Sequence, residues 1–237
     1  MNCLSAPERA ETISQIQKEE YDILIIGGGI TGAGILLDAT TRGLKALLVE
    51  KNDFASGTSS KSTKLIHGGL RYLKQLDLAL VREVGRERAV LYRNAPHLVV
   101  PERMLLPLII GGSFSKLMSR IGLTIYDIFA SVKPGEKKKM LSKQETLSLE
   151  SGLNEDILLG GALYSEYRTD DSRLTLEVIK TACNLGGVAL NYTTFTEFNY
   201  EKEHVNGISA VDTMSGNRLQ LKGRQVINAA GPWVDEI

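Results

Sequence analysis

The sequence predicts an α/β fold: a parallel sheet wound with helices, extended by an antiparallel β-meander. Three observations carry this. An apolar run, Tyr21-Asp22-Ile23-Leu24-Ile25-Ile26, leads straight into Gly27-Gly28-Gly29-Ile30-Thr31-Gly32, which fits G-x-G-x-x-G. A helix-periodic segment and a second apolar run, Ala46-Leu47-Leu48-Val49, complete a βαβ unit closed by Glu50. Far downstream, three strand-like segments joined by short turns precede a strand that ends in small residues. The first two observations are those of a Rossmann-like dinucleotide-binding domain. The expected organisation is a lead-in at 1–20, a dinucleotide-binding domain from 21–97 and 171–237, and an inserted, partial substrate-cap region at 98–170.

The lead-in is polar, without the apolar stretch of a secretory signal; a short amphipathic helix with Ile13 and Ile16 on one side is expected there. In the βαβ unit each glycine has a physical task. Gly27 permits the tight turn out of the strand, Gly29 lets a pyrophosphate approach the backbone, and Gly32 lets the helix pack closely on the sheet. The helix N-terminus offers free N–H groups and its positive dipole end to phosphates. Ile30, Ala33, Gly34, Leu37 and Thr41 are the expected buried face, and Gly43 the stop. Glu50 lies about 20 residues past the glycines, where its carboxylate can accept from both ribose hydroxyls and disfavours a 2′-phosphate.

Residues 52–71 are rich in Ser, Thr, Gly and Lys, and leave the carboxyl end of the second strand beside the nucleotide crevice. Hydroxyls and N–H groups there, Thr58, Ser59 and Ser60 among them, could line a phosphate or an isoalloxazine ring. Asp77–Arg93 reads as a helix with Leu80, Val84 and Leu91 as its apolar stripe. Residues 98–110 are strand-like, 114–132 amphipathic and aromatic, and 134–139 a charged, flexible turn. A helix capped at Asp170-Asp171-Ser172 carries Leu174, Val178, Ala182 and Leu185 on one face. Val188-Ala189-Leu190 is a third buried strand. The meander follows at 195–200, 205–211 and 218–221, and a separate strand returns at 225–231, where Ala230 and Gly231 allow close approach of a ligand.

The chain has 237 residues and zero net charge, which gives no support to nucleic-acid binding. Cys3 and Cys183 have no framework or metal-site spacing, so a reduced, cytoplasmic setting is the default expectation. No apolar run approaches the length of a membrane span.

The order of elements resembles the FAD-binding domain of the glutathione-reductase-like flavoproteins, which a meander between those strands sets apart from ordinary NAD dehydrogenases. A closer resemblance is to the FAD-dependent glycerol-3-phosphate dehydrogenase family. It is carried by residues 26–34, Asp38, Arg42-Gly43, Thr58-Ser59-Ser60, Lys64-Leu65-Ile66-His67-Gly68-Gly69-Leu70-Arg71-Tyr72-Leu73, Ala95-Pro96-His97 and Asn228-Ala229-Ala230-Gly231-Pro232-Trp233-Val234. It covers most of the chain from Tyr21 onward, and Lys64–Leu73 is its most specific stretch. Leu36 departs from the small residue usual in the family, which implies local repacking.

The resemblance implies FAD as cofactor, lined by Gly27, Gly29, Thr31, Gly32, Glu50, Thr58, Ser59, Ser60, Lys64, Leu65, His67, Gly68, Ala230 and Gly231. It implies oxidation of sn-glycerol 3-phosphate to dihydroxyacetone phosphate by hydride transfer to flavin, with electrons passed to a membrane quinone or another acceptor. The matching Arg71 and Tyr72 would stand at the substrate; a structural Arg71 paired with Glu83 or Glu87 is the alternative. His67 is either the proton acceptor or a hydrogen-bonding partner of FAD or backbone. Two other readings stay open: an amine- or 2-hydroxy-acid-oxidising flavoenzyme of the same superfamily, and a catalytically silent FAD-binding fragment. A quinone acceptor implies peripheral attachment at the inner face of the plasma membrane, with 114–139 and Lys137, Lys138 and Lys139 as candidate contact. Pro232 in an opening helix at the very end suggests a piece of a longer chain.

Overall fold

The computed structural model describes residues 4–67, 77–112, 115–129 and 134–237. These form two units, Met1–Ser62 with Asp170–Ile237, and Thr63–Thr169. The first contains α1 (Arg9–Ile16), β1 (Glu20–Ile26), α2 (Ile30–Thr41) and β2 (Ala46–Val49). The second contains β3 (Leu65–Ile66), α3 (Leu78–Asn94), β4 (Val99–Ile109), α4 (Lys116–Phe129), β5 (Lys139–Leu141), α5 (Lys143–Leu149) and β6 (Leu158–Thr169). The chain then re-enters the first unit with α6 (Asp171–Asn184), β7 (Val188–Leu190), β8 (Thr193–Glu201), β9 (His204–Asp212) and β10 (Arg218–Asn228).

Alternation along β1 and β2 sets the layers of the first unit. Leu24, Ile26, Leu47 and Val49 face one core, shared with Ile16 of α1 and with Ile208 and Leu219 of the meander. Ile25, Ala46 and Leu48 face the other, under Leu36 of α2 and Ile179 of α6. Strands buried on both faces read as continuous apolar runs. Each fully buried Leu or Ile here contributes about 1.5–3 kcal/mol relative to exposure. The six strands run β7-β2-β1-β10-β9-β8.

Three expectations are corrected here. The third meander strand and the returning strand are one element. Along β10, Arg218 to Lys222 pair antiparallel with β9, and Lys222 to Asn228 pair parallel with β1. No turn separates the two segments, because the chain changes partner without changing direction. The buried face of α2 is also rotated. Gly32, Ala33, Leu36, Ala39 and Thr40 are buried, whereas Ile30 and Gly34 are exposed. The small residues Gly32 and Ala33 let the helix axis approach the sheet, and that proximity, rather than the bulk of Ile30, chooses the face. Cys183 is disulfide-bonded, against the reduced state that its spacing suggested.

In the second unit β6 is central, with β4 along one side and β3 and β5 along the other. Residues 63–67 and 77–97, grouped by sequence with the nucleotide-binding half, pack in this unit because β3 hydrogen-bonds to β6 and α3 lies against β4 and α4. The charged turn at 134–139 is shorter than expected. It is a 3₁₀ turn, Pro134–Glu136, and Lys139 already belongs to β5. The inward stripe of α3 is Val81, Gly85 and Arg88, one position round from Leu80, Val84 and Leu91, which are half-buried. Arg88 is 1% exposed and is received by Glu166, whose Oε2 lies 3.0 Å from Nη1, and by the Ser165 carbonyl. Tyr126 donates to the same Glu166 oxygen at 2.8 Å and also meets Arg88. The guanidinium lies over the rings of Tyr126 and Tyr167. Burial pushes the Tyr126 hydroxyl pKa far above its ordinary range, and that of Tyr164 up to about 12.

Candidate functional site

The carboxyl ends of β1, β2 and β10 open onto a crevice of about 530 Å³ in the first unit. Its position is the one a parallel sheet dictates, outside the strand ends. At its floor Gly27 has φ +113°, in the region that favours glycine. Its N–H donates to the Val49 carbonyl at 2.8 Å, so the turn out of β1 is pinned to β2. A Cβ on Gly32 would lie 1.9 Å from the Gly27 carbonyl oxygen. The first turn of α2 therefore sits directly on the glycine turn. Gly29 begins α2 without a side-chain cap, so first-turn N–H groups face the crevice, where a phosphate would bind. The Ile30 N–H donates to Ser59 Oγ at 2.8 Å, which brings the loop after β2 to the same helix end.

Glu50 is fixed by backbone donors on both oxygens. Gly28 N–H reaches Oε2 at 2.7 Å, and Asn52 N–H reaches Oε1 at 2.8 Å. Each carboxylate oxygen accepts more than one hydrogen bond, so capacity remains for hydroxyls of a ligand. The crevice continues past Thr193, Thr194 and Phe195 at the start of β8 and ends against Ala230, Gly231 and Trp233.

Of the residues expected here, Gly27, Gly29, Thr31, Glu50, Thr58, Ser59, Ala230 and Gly231 line the crevice. Gly32 is buried beneath it. Ser60 lies in the same 3₁₀ turn as Thr58, its Oγ donating to the Gly57 carbonyl. Lys64, Leu65 and His67 belong to the second unit. Lys64 has φ +60°, and its carbonyl accepts from Thr169 N–H. Leu65 pairs with Arg168, and His67 Nε2 lies 3.4 Å from Thr63 Oγ1. Gly68, Arg71 and Tyr72 lie outside the described residues, as do Gly69, Leu70 and Leu73. Among the described residues no cluster suits a metal ion. Lys51, Thr193, Phe195 and Trp233 were missed by motif reasoning. The first three could have been found by extending the strand-end rule to the residues after β2 and β7.

The arrangement suits a dinucleotide: a helix start whose N-cap residue, Gly29, has no capping side chain, an anchored acid for a ribose, and glycines that a side chain would replace with a clash. Comparison with known proteins decides between dinucleotide users. The family model for FAD dependent oxidoreductases matches residues 22–237. The chain belongs to that family. An aerobic glycerol-3-phosphate dehydrogenase of Staphylococcus epidermidis is 54% identical over 235 residues, 99% of this chain and 42% of the relative. One from Staphylococcus aureus is 52% identical over the same span. The chain thus spans about two fifths of the length of these curated relatives. Among solved structures, the glycerol-3-phosphate dehydrogenase of Bacillus halodurans complexed with FAD matches at TM-score 0.77 and 43% identity, covering 98% of this chain and 38% of that one. A glycine oxidase of Bacillus cereus, at 23% identity and TM-score 0.61, shares the fold.

Proposed function

We propose that this chain is the FAD-binding portion of an enzyme that oxidises sn-glycerol 3-phosphate to dihydroxyacetone phosphate. The observation that carries the reading is identity above 50% to dehydrogenases of that name across nearly the whole chain. FAD, when bound, supplies the hydride acceptor. The chain's own residues hold and orient it: Glu50 at the ribose, the start of α2 at the phosphates, Thr58, Ser59, Ala230 and Gly231 along the crevice. Arg71 is proposed to hold the substrate phosphate in a bidentate grip, Tyr72 to donate to the substrate, and His67 to accept the C2 hydroxyl proton or to orient the cofactor. Lys64, Leu65 and Gly68 complete the proposed cofactor contacts. The test is dye reduction by protein loaded with FAD, offered glycerol 3-phosphate, glycine and 2-hydroxyglutarate in parallel. Reduction with glycerol 3-phosphate alone supports the reading; reduction with either rival and none with glycerol 3-phosphate overturns it.

The electron acceptor is proposed to be a membrane quinone, reached by peripheral contact at the cytoplasmic face. No helix among the described residues is long and apolar enough to cross a membrane. What supports contact is α4, where Leu117, Ile121 and Ile128 stand exposed at helical spacing with Lys116 and Arg120 beside them. An apolar stripe flanked by cations suits an anionic lipid surface. Replacing Leu117 and Ile121 by Ser, or Lys137, Lys138 and Lys139 by Glu, should release the protein from anionic vesicles. Undiminished binding in both variants removes this helix and turn from the proposal.

A further inference from the structure

Across the crevice of the first unit, the loop after β2 and the segment after β10 touch each other. Lys51 follows Glu50 directly, and its Nζ lies 5.2 Å from the centre of the Trp233 ring. The same Nζ is 3.8 Å from Glu236 Oε2. Trp233 rests on Gly57 so closely that a Cβ there would come within 2.9 Å of the ring. The order of the sheet gives this bridge its meaning. β1 lies between β2 and β10. A bridge from the end of β2 to the end of β10 therefore spans the end of β1, the position of the glycine turn. Lys51, Gly57, Trp233 and Glu236 all line the crevice.

We propose that Lys51 and Trp233 form a strap across the cofactor crevice, which must part for FAD to enter and closes to slow its release. The proposal rests on the FAD reading above. The cation–π contact is the stronger half of the strap, because Lys51 and Glu236 are both well exposed and such ion pairs contribute little. Gly57 is the seat of the strap: any side chain there would lift the indole from the loop. Lys51 and Trp233 are positioning residues, and among the described residues no hydrogen bond joins their side chains to the phosphate-binding helix start or the Glu50 carboxylate.

The experiment is stopped-flow release of FAD from the loaded protein, with the melting temperature of the FAD-free protein measured in parallel. Lys51→Met keeps the stem and removes the charge. It should speed release about two- to fivefold, the size of an exposed cation–π contact, with no change in melting of the FAD-free form. Lys51→Arg should restore slow release. Gly57→Ala should speed release as well. An unchanged release rate in Lys51→Met overturns the strap. So does faster release accompanied by an equal loss of FAD-free stability, since the pair would then merely hold the fold. If wild-type protein takes up no FAD at all, the cofactor reading itself is what fails.

Discussion

Glu50 Oε2 and the N–H of Gly28 are joined at 2.7 Å, so the acid expected to face a ribose also ties the end of β2 to the glycine turn after β1. Removing the carboxylate has two effects: hydroxyls of the ligand lose an ionised acceptor, and the turn loses an anchor. Charge-assisted hydrogen bonds contribute about 1.5–3 kcal/mol each. Glu50→Ala should weaken FAD binding at least about tenfold, read as the dissociation constant from flavin fluorescence. Glu50→Gln, which keeps an acceptor, should lose less. Equal affinity in all three proteins would place the ribose elsewhere.

The start of α2 offers a paired test of glycine requirements. A Cβ on Gly32 meets the Gly27 carbonyl oxygen at 1.9 Å, whereas one on Gly34 meets nothing within 4 Å. Gly32→Ala must push helix and turn apart and should abolish FAD uptake or folding. Gly34→Ala lies two residues on, in an exposed helical position, and should stabilise by about 0.4–1 kcal/mol. Thermal melts of the two variants, compared with the wild type, check both signs.

Arg9 of α1 reaches Asp212 at 2.6 Å and the Asn191 carbonyl at 2.7 Å. Burial pushes the Asp212 carboxyl up, but hydrogen bonds from Arg9 and Ser215 outweigh it and hold the carboxyl below its ordinary value. A depressed carboxyl stabilises the fold above its unfolded pKa, about 3.9, and that stabilisation disappears as pH falls through the lower folded value. Wild type and Asp212→Asn should therefore differ most in melting temperature above pH 5 and converge only as the pH falls below the lowered folded value. A difference that is constant with pH would show that the charge is immaterial.

Among the described residues, Glu166 is the carboxylate that pairs with the buried Arg88. Glu166→Ala would leave a guanidinium inside the second unit with hydroxyl, carbonyl and ring partners among the described residues, and no paired anion there. Breaking such a pair costs about 3–5 kcal/mol. Arg88→Met with Glu166→Leu should recover much of that loss, because apolar replacements of similar volume are tolerated where a lone charge is not. Chemical denaturation of the two variants measures both quantities.

The strands of the first sheet were legible because burial on both faces leaves uninterrupted apolar runs, as at Leu24-Ile25-Ile26 and Leu47-Leu48-Val49. The crevice was legible because glycine spacing records backbone approach directly. Other features left no such trace. Lys222 changes partner from β9 to β1 in mid-strand, and no residue type marks a change of neighbour. Arg88 points inward from a helix whose apolar periodicity selects the next position round, since its partner Glu166 is far along the chain. Trp233 closes the crevice from a segment whose local sequence announces only the start of a helix.

The parallel pairing of Ile26 with Asn228 has a consequence for synthesis. One edge of β1 stays without its neighbour until roughly 200 further residues have been made, which at ribosomal speeds of about 5–20 residues per second takes about 10–40 s. For that interval the nascent βαβ unit exposes an apolar strand edge to every other chain nearby. Yield in cells should therefore respond to translation rate and to chaperone supply, and ribosome-bound chains ended before residue 218 should be the most readily captured by chaperones.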